Sequence, residues 1–418
     1  MTSLKESELV RQIRLEGGRI AIVGGWVRDS LRGVTPKDKD YVISGVKEEK
    51  FLSLFPETQK VGRSFPVFLL HVDGVASEIA FARTEQKTGK GYRGFCVRFN
   101  PKVTLEDDLS RRDTTINSMA LELFADGTPP KLIDLFGGKK DVECGIIRAV
   151  SNCFTEDPVR ALRAARQAAE FGYDIAPCTI QYMRLCREEL EGEPQERIFA
   201  ELSRALAASI PSAFFRSLLS ADLLDLIFPE IFALIGKTQP KEFHPEGDAF
   251  EHTMATVDAV ACRTENLVVR FAALVHDIGK GVTPEALLPH HYGHEVKGLA
   301  VLEKWDCRMG FPKPWRRVAD FVIAEHMRAP RLKKSGKIVD FLIRLSRLPV
   351  PAKDVLQVFL VDHGDLPPYL KQYEHLIGKL LSVSGKSAPA NLHNKEIGAW
   401  IRAQRIRCLK EEKMNWND

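Results

Sequence analysis

Two aspartates, Asp38 and Asp40, flank Lys39 just ahead of the apolar run Tyr41–Ile43. In an extended segment residues i and i+2 point to the same side, so these carboxylates can converge. Hard oxygen ligands suit magnesium, which also binds substrate phosphates. Two metal ions held there could activate an attacking 3′-hydroxyl and stabilise a leaving pyrophosphate. Glu78, opening the run Ile79–Ala82, offers a third carboxylate. On spacing alone a solvated turn explains Asp38 and Asp40 equally well, and a solvated strand end explains Glu78.

Upstream, Gly24-Gly25 separates a β-like run, Ile20–Val23, from a helix-like stretch. Glycines at a strand-to-helix turn let backbone N–H groups approach a phosphate, and a helix N-terminus favours negative charge. Arg28, one turn along, is placed to contact the same phosphates. An ordinary tight turn has the same glycines.

The stretch Glu156-Asp157-Pro158-Val159-Arg160 leads into Arg163 and Arg166. Pro158 fits a first helical turn, with Thr155 or Glu156 as the cap. Asp157 and Arg160, three apart, are neighbours on the helix surface. Together they present one acceptor and a fork of donors. Cytosine and adenine, each with an amino donor beside ring acceptors, can pair with them. Uracil would set O4 against the carboxylate, leaving two acceptors face to face. Arg163 and Arg166 can hold a triphosphate. A routine surface ion pair has the same i,i+3 spacing.

The elements that must position these residues change texture along the chain. Ile20–Val23, Tyr41–Ile43, Val67–Val72 and Ile79–Ala82 read as strands. From Glu156 to about Ile227 the pattern is helical, with Ala161, Leu162, Ala165, Ala168 and Ala169 at helical spacing. Phe228-Pro229 ends that block. From Phe250 helices continue and histidines become frequent: His252, His276, His290, His291, His294, His326 and His363. Gly385–Ala390 reads as a linker before a short basic helix.

With 418 residues the chain is long enough for several domains. A net charge of +4 excludes a globally basic nucleic-acid coat. Any such binding must use local basic surface: Lys87–Arg98, the arginines of 160–166, or the tail 402–413. Eight cysteines without a CxxC pair argue against a zinc ribbon and for reduced thiols in a cytoplasmic protein. No membrane helix or secretory signal is expected.

Gly24-Gly25-Trp26-Val27-Arg28-Asp29 followed by Asp38-Lys39-Asp40 resembles the signature of class II polymerase-β-like nucleotidyltransferases. That family contains CCA-adding enzymes and bacterial poly(A) polymerases. Arg111-Arg112-Asp113-Thr114-Thr115-Ile116-Asn117 resembles its RRDFTINA motif, with Thr114 in place of the usual bulky residue. The resemblance implies that Arg112 and Asp113 serve the ribose and triphosphate. Glu156-Asp157 with Arg160 matches the family's EDxxR motif, which implies that Asp157 and Arg160 select CTP and ATP. It also implies a flexible loop at Ala82–Phe95 that supports the switch from C to A addition. A solvated hairpin tip would read the same.

His276-Asp277, with His252 upstream and Asp362 downstream, resembles the HD superfamily of metal-dependent phosphohydrolases. That resemblance implies His252, His276, Asp277 and Asp362 as metal ligands, with His290, His291, His294 and His326 as further ligands or substrate contacts. The order of the parts is similar to the multifunctional CCA proteins of the enterobacterial type.

The expected fold is therefore α+β: a polymerase-β-like nucleotidyltransferase head at 1–140, a helical neck and body at 141–227, a helical HD domain at 228–365 and a helical tail at 366–418. The implied reaction adds CMP, CMP and AMP to a tRNA 3′ end from CTP and ATP. Asp38 and Asp40 hold Mg2+, and Gly25, Arg28, Arg112, Asp113, Arg163 and Arg166 bind the nucleotide. The HD site implies a transition metal such as Ni2+, Mn2+ or Co2+, and phosphatase, 2′-nucleotidase or 2′,3′-cyclic phosphodiesterase activity. The implied partners are tRNA and nucleotides, with no membrane, for a monomer or homodimer. Narrower alternatives are a poly(A) polymerase, a CC-only or A-only enzyme, or chiefly an HD phosphohydrolase with an RNA-binding head.

Overall fold

The computed structural model describes residues 4–413 except 37, 62–66, 88, 90–94, 241, 243–244, 390 and 394. The loop expected between Ala82 and Phe95 lies partly outside the described residues, as does the basic stretch Lys87–Arg98. The chain forms two compact units, residues 1–201 with 213–227 and residues 202–212 with 228–418.

The first unit is built on a seven-stranded sheet. Its strands are β1 (Arg19–Val23), β2 (Asp40–Ser44), β3 (Gln59–Val61), β4 (Val67–Val72) and β5 (Val75–Phe81). A separate hairpin of β6 (Arg83–Lys87) and β7 (Phe95–Phe99) precedes β8 (Met119–Glu122) and β9 (Lys131–Asp134). The order is β3-β4-β5-β2-β1-β8-β9. The β2–β5 pair is parallel and the other neighbours are antiparallel.

β1 is apolar from Ile20 to Val23 and β2 from Tyr41 to Ile43, because both faces of the sheet are covered there. Against the sheet lie α1 (Glu6–Leu15), which buries Leu9, Val10 and Ile13, and the short α2 (Gly25–Leu31). From α3 (Glu48–Leu54), Phe51 meets the rings of Phe68 and Phe81 edge-on at 5.5 and 5.6 Å. α4 (Leu105–Ser110) packs Leu105 and Leu109 with Ala21, Val23 and Val42. α5 (Gly138–Cys144) approaches so closely that a Cβ on Gly138 would lie 2.2 Å from the Thr115 carbonyl oxygen. α6 (Val159–Phe171) buries the alanine-rich face expected of it.

The second unit is helical. One core joins Val260, Val269, Val322, Phe341 and Phe359 with Leu376, Leu380 and Leu409. The final helix, Lys395–Lys413, therefore belongs to the same core as the histidine-bearing helices. Two of its basic residues are used internally: Arg402 forks onto Asp340 at 2.9 Å through both nitrogens, and Arg405 donates to the carbonyls of Leu380 and Val383. Among the described residues no helix is long and apolar enough to cross a membrane.

Candidate active sites

In the first unit, strand register gathers the carboxylates. Val23 pairs with Asp40, and Asp40 pairs with Glu78. Val23 is the residue before Gly24, so the glycine turn and the acidic residues share one end of three adjacent strands. Gly24 takes φ +67°, a conformation that favours glycine. A Cβ there would also lie 3.3 Å from Nη1 of Arg112. Asp38 and Glu78 are exposed and Asp40 is half-buried. The Asp40 carboxyl is pushed up to about 6, by burial first, then by the charge of Glu78, with Arg112 pulling it down. A cluster of carboxylates that suppresses its own ionisation is suited to a divalent cation.

A chain of side chains runs from this end to α6. Nη1 of Arg28 donates to Asn117 Oδ1 at 2.6 Å, and Asn117 Nδ2 donates to Asp113 Oδ1 at 3.3 Å. Nε of Arg163 donates to Asp113 Oδ2 at 2.8 Å. Gln167 and the Thr114 amide also donate to Asp113. Asp113 is thus a buried hub, held well below the usual carboxylate range; burial opposes this but Arg163 prevails. Thr114 is fully buried and its hydroxyl donates to Gln167 Oε1 at 2.8 Å, so threonine has a defined task at that position.

The expected cap is corrected. Thr155 and Glu156 lie in a 3-10 turn, and the Asp157 carboxylate caps α6 by accepting from the Val159 amide at 3.2 Å. The Asp157 side chain is paired with Arg197, while its carbonyl accepts from the Arg160 amide. Arg160 is 6% exposed. Its Nη1 donates to the Cys153 carbonyl and its Nη2 lies 3.6 Å from Glu85. Glu85 also accepts from Arg111 at 2.8 Å. Arg166 is tied to Glu170 and Glu201, whereas the Arg163 side chain keeps 41% of its surface exposed. Arg112 forks onto Asp108 at 3.3 and 3.0 Å. Sequence reasoning missed Arg197, Glu85, Asp108 and Gln167. Only Asp108, in the acidic run before Arg111, gave any local signal.

In the second unit four predicted ligands meet. His252 Nε2 is 3.2 Å from Asp362 Oδ1 and 3.8 Å from Asp277 Oδ2. His276 Nε2 is 3.3 Å from Asp277 Oδ2 and 3.8 Å from Asp362 Oδ1. His252 and Asp277 are nearly inaccessible and His276 is fully buried. His276 Nε2 and Asp362 Oδ2 are buried without hydrogen-bond partners. His294 and His326 approach Asp277 from another side, and burial holds the His326 imidazole below its ordinary value. His291 faces elsewhere, toward Thr283 and the Thr238 carbonyl. His290 stacks on Tyr292 at 5.6 Å, and His363 meets the His326 carbonyl. Lys280 lies 2.5 Å from Asp277 Oδ2, as an ion pair without hydrogen-bond alignment.

Family models match three segments: the poly A polymerase head domain at residues 20–148, the probable RNA and SrmB-binding site of polymerase A at 172–235, and the HD domain at 249–357. Fold and site thus define a polymerase-type nucleotidyltransferase head followed by an HD domain. The multifunctional CCA protein of Methylococcus capsulatus is 44% identical over 349 residues, 81% of this chain and 79% of that one. That of Nitrosococcus oceani is 39% identical over 407 residues, 94% and 98% of the two chains. This chain belongs to the multifunctional CCA protein family. A Bacillus stearothermophilus CCA-adding enzyme solved with CTP shares the fold at TM-score 0.67 and 23% identity, covering 98% of each chain. A CCA-adding enzyme solved with ATP does so at 0.61 and 19%, covering 96% and 90%.

Proposed function

We propose that the first unit adds C, C and A to the 3′ end of tRNA from CTP and ATP without a nucleic-acid template. The observation that carries this is the register Val23–Asp40–Glu78, which sets a glycine turn beside a carboxylate cluster. Asp38 and Asp40, with Glu78 beside them, are the residues that would hold magnesium. When bound, the metal supplies positive charge to the triphosphate and lowers the cost of developing negative charge. Gly25, Arg28, Arg112 and Arg163 orient the phosphates and ribose. Asp113 positions Arg163 and Asn117 from within the protein. Arg166 holds the neighbouring helix through Glu201 and so shapes the pocket. Asp157 and Arg160 read the base, with Arg197 and Glu85 orienting them.

The second unit acts as a metal-dependent phosphohydrolase on phosphate monoesters, 2′-nucleotides or 2′,3′-cyclic phosphates. Buried atoms without hydrogen-bond partners on His276, Asp277 and Asp362 fit a divalent ion such as Ni2+, Mn2+ or Co2+, although Lys280 already pairs with Asp277 Oδ2. We divide the work as head 1–140, neck and body 141–227, HD part 228–365 and tail 366–418, the tail completing the HD core. The seven described cysteines are free, in keeping with a cytoplasmic protein acting as monomer or homodimer.

The deciding assay supplies tRNA lacking its CCA end with each labelled nucleoside triphosphate, singly and together. CTP alone should extend the end by two residues, and CTP with ATP by three. A long adenosine tract from ATP alone would point to a poly(A) polymerase instead.

A further inference from the structure

Asp38 and Asp40 alternate along the chain with Lys39 and Tyr41, and both of these reach one residue outside the motif. Lys39 Nζ donates to Oε1 of Glu6 at 2.8 Å, and the Tyr41 hydroxyl donates to the same oxygen at 2.6 Å. Side chains two apart on an extended segment share a side. Asp38 and Asp40 therefore leave one side of this segment, while Lys39 and Tyr41 leave the other, toward α1. Lys39 Nζ also lies 5.5 Å from the centroid of the Trp26 ring, within range of a cation–π contact. The ammonium is thus held between the first residue of α1 and the indole of α2.

Glu6 is itself fixed. Its amide donates to Asp73 Oδ1 at 3.3 Å, and the Asp73 amide donates to the Leu4 carbonyl at 2.8 Å. Tyr41 is 1% exposed and pairs with Ile22 and Ile79 in the sheet. Asp38 and Lys39, by contrast, precede the paired part of β2, which begins at Asp40. The grip on the Lys39 side chain therefore decides where its ammonium stands.

Charge makes that grip consequential. An ammonium on a flexible stem turns to whichever carboxylate is within reach. Released from Glu6, Lys39 has Asp38 on one side and Asp40 on the other. An ammonium beside them offsets the charge that attracts a divalent ion and occupies oxygens that the ion needs. Glu6 removes this competitor by offering it another carboxylate on the far side.

We propose that Glu6 is a positioning residue of the transferase reaction, which keeps the Lys39 ammonium off the carboxylates of Asp38 and Asp40. The proposal rests on the reading of those two aspartates as magnesium ligands. Glu6 lies in none of the motifs that carry the family resemblance.

The test sets a lysine against a metal ion on the full chain. Mn2+ is titrated into wild type, Glu6→Gln, Lys39→Met, the double variant and Asp40→Asn, and free Mn2+ is read by electron paramagnetic resonance. Ligands of the second unit contribute equally throughout, so differences are read. Glutamine keeps an acceptor for the Tyr41 hydroxyl but not the charge that holds the lysine. Glu6→Gln should weaken first-unit Mn2+ binding about two- to fivefold, the scale of a partly exposed ion pair. The Mg2+ concentration giving half-maximal CTP addition should rise by the same factor, while kcat at saturating Mg2+ holds. Lys39→Met should bind at least as tightly as wild type, and adding Glu6→Gln to it should change nothing further. If the double variant is as weak as Glu6→Gln alone, Glu6 acts through the fold and not through Lys39, and the proposal falls. It falls equally if Glu6→Gln, shown to be folded by near-ultraviolet circular dichroism, binds like wild type. A Lys39→Met chain that binds more weakly than wild type overturns it without any Glu6 variant. If Asp40→Asn keeps its full Mn2+ affinity, the magnesium reading itself has failed.

Discussion

Nη2 of Arg197 lies 3.1 and 3.0 Å from the two carboxylate oxygens of Asp157, from a helix forty residues along the chain. The same carboxylate caps α6 through the Val159 amide. Asp157 is therefore fixed from two directions. In the proposed role of base-reading acceptor, the carboxylate is thus held in place rather than swinging in solvent.

Asp157→Ala should lower incorporation of CTP and ATP and raise UTP relative to them. Loss of a charged hydrogen bond is worth roughly 1.5–3 kcal/mol, about ten- to a hundredfold in discrimination. Arg197→Ala should blunt discrimination in the same direction by less, because the cap remains. Single-turnover incorporation of the four nucleotides into tRNA ending before the first C and after the second C measures both. Unchanged ratios in Asp157→Ala would make this a structural ion pair.

Asp38→Ala and Asp40→Ala should each cut nucleotide addition by about a thousandfold or more, because the charge that they position acts on the transition state. Affinity for tRNA should hold, since it comes from dispersed phosphate contacts. Filter binding alongside primer extension separates the two. Near-normal extension by both variants would remove the metal role from this end of the sheet.

The acid-base behaviour of Asp40 gives a pH test with a definite sign. Its folded value of about 6 lies above the ordinary 3.8, through burial and then Glu78. Between those values the metal-free fold keeps a proton that the unfolded chain has released. That contribution to stability is complete at low pH and is lost as pH rises toward 6. Magnesium competes with the same proton, so its affinity should fall up to about tenfold per pH unit below 6. Calorimetric titration from pH 5 to 7.5 measures this; a flat affinity across that range would contradict it.

His276→Ala or Asp277→Ala should abolish hydrolysis of 2′,3′-cyclic nucleotides while CCA addition continues, since the ligands of the two reactions belong to separate compact units. Assay of wild type with Mg2+, Mn2+, Ni2+ and Co2+ comes first. A wild type inactive with all four would show that the HD fold here has another substrate or none.

How much of this was legible in the sequence depended on range. The glycine turn, the strand after Asp40 and the alanine-rich helix face are local patterns of period two or 3.6, and they were read correctly. The pairing of Asp40 with Glu78 came only from the sheet order. The partners of Asp157 and Arg160 lie far along the chain at Arg197 and Glu85, where no spacing rule reaches. The displaced cap has a simpler cause. The 3-10 turn takes up Thr155 and Glu156, leaving Asp157 at the boundary with its carboxylate over the first free amide.

Because Leu409 is a fully buried member of the core that also holds Val260 and Phe359, that core is complete only once the last helix has been made. The sheet of the transferase half is complete at Asp134. On the ribosome the strands that carry Asp38 and Asp40 can therefore pair while the last helix is still being made. A message cut short before Leu409 would yield a chain with every strand of its sheet and with the core of its histidine half lacking one buried leucine.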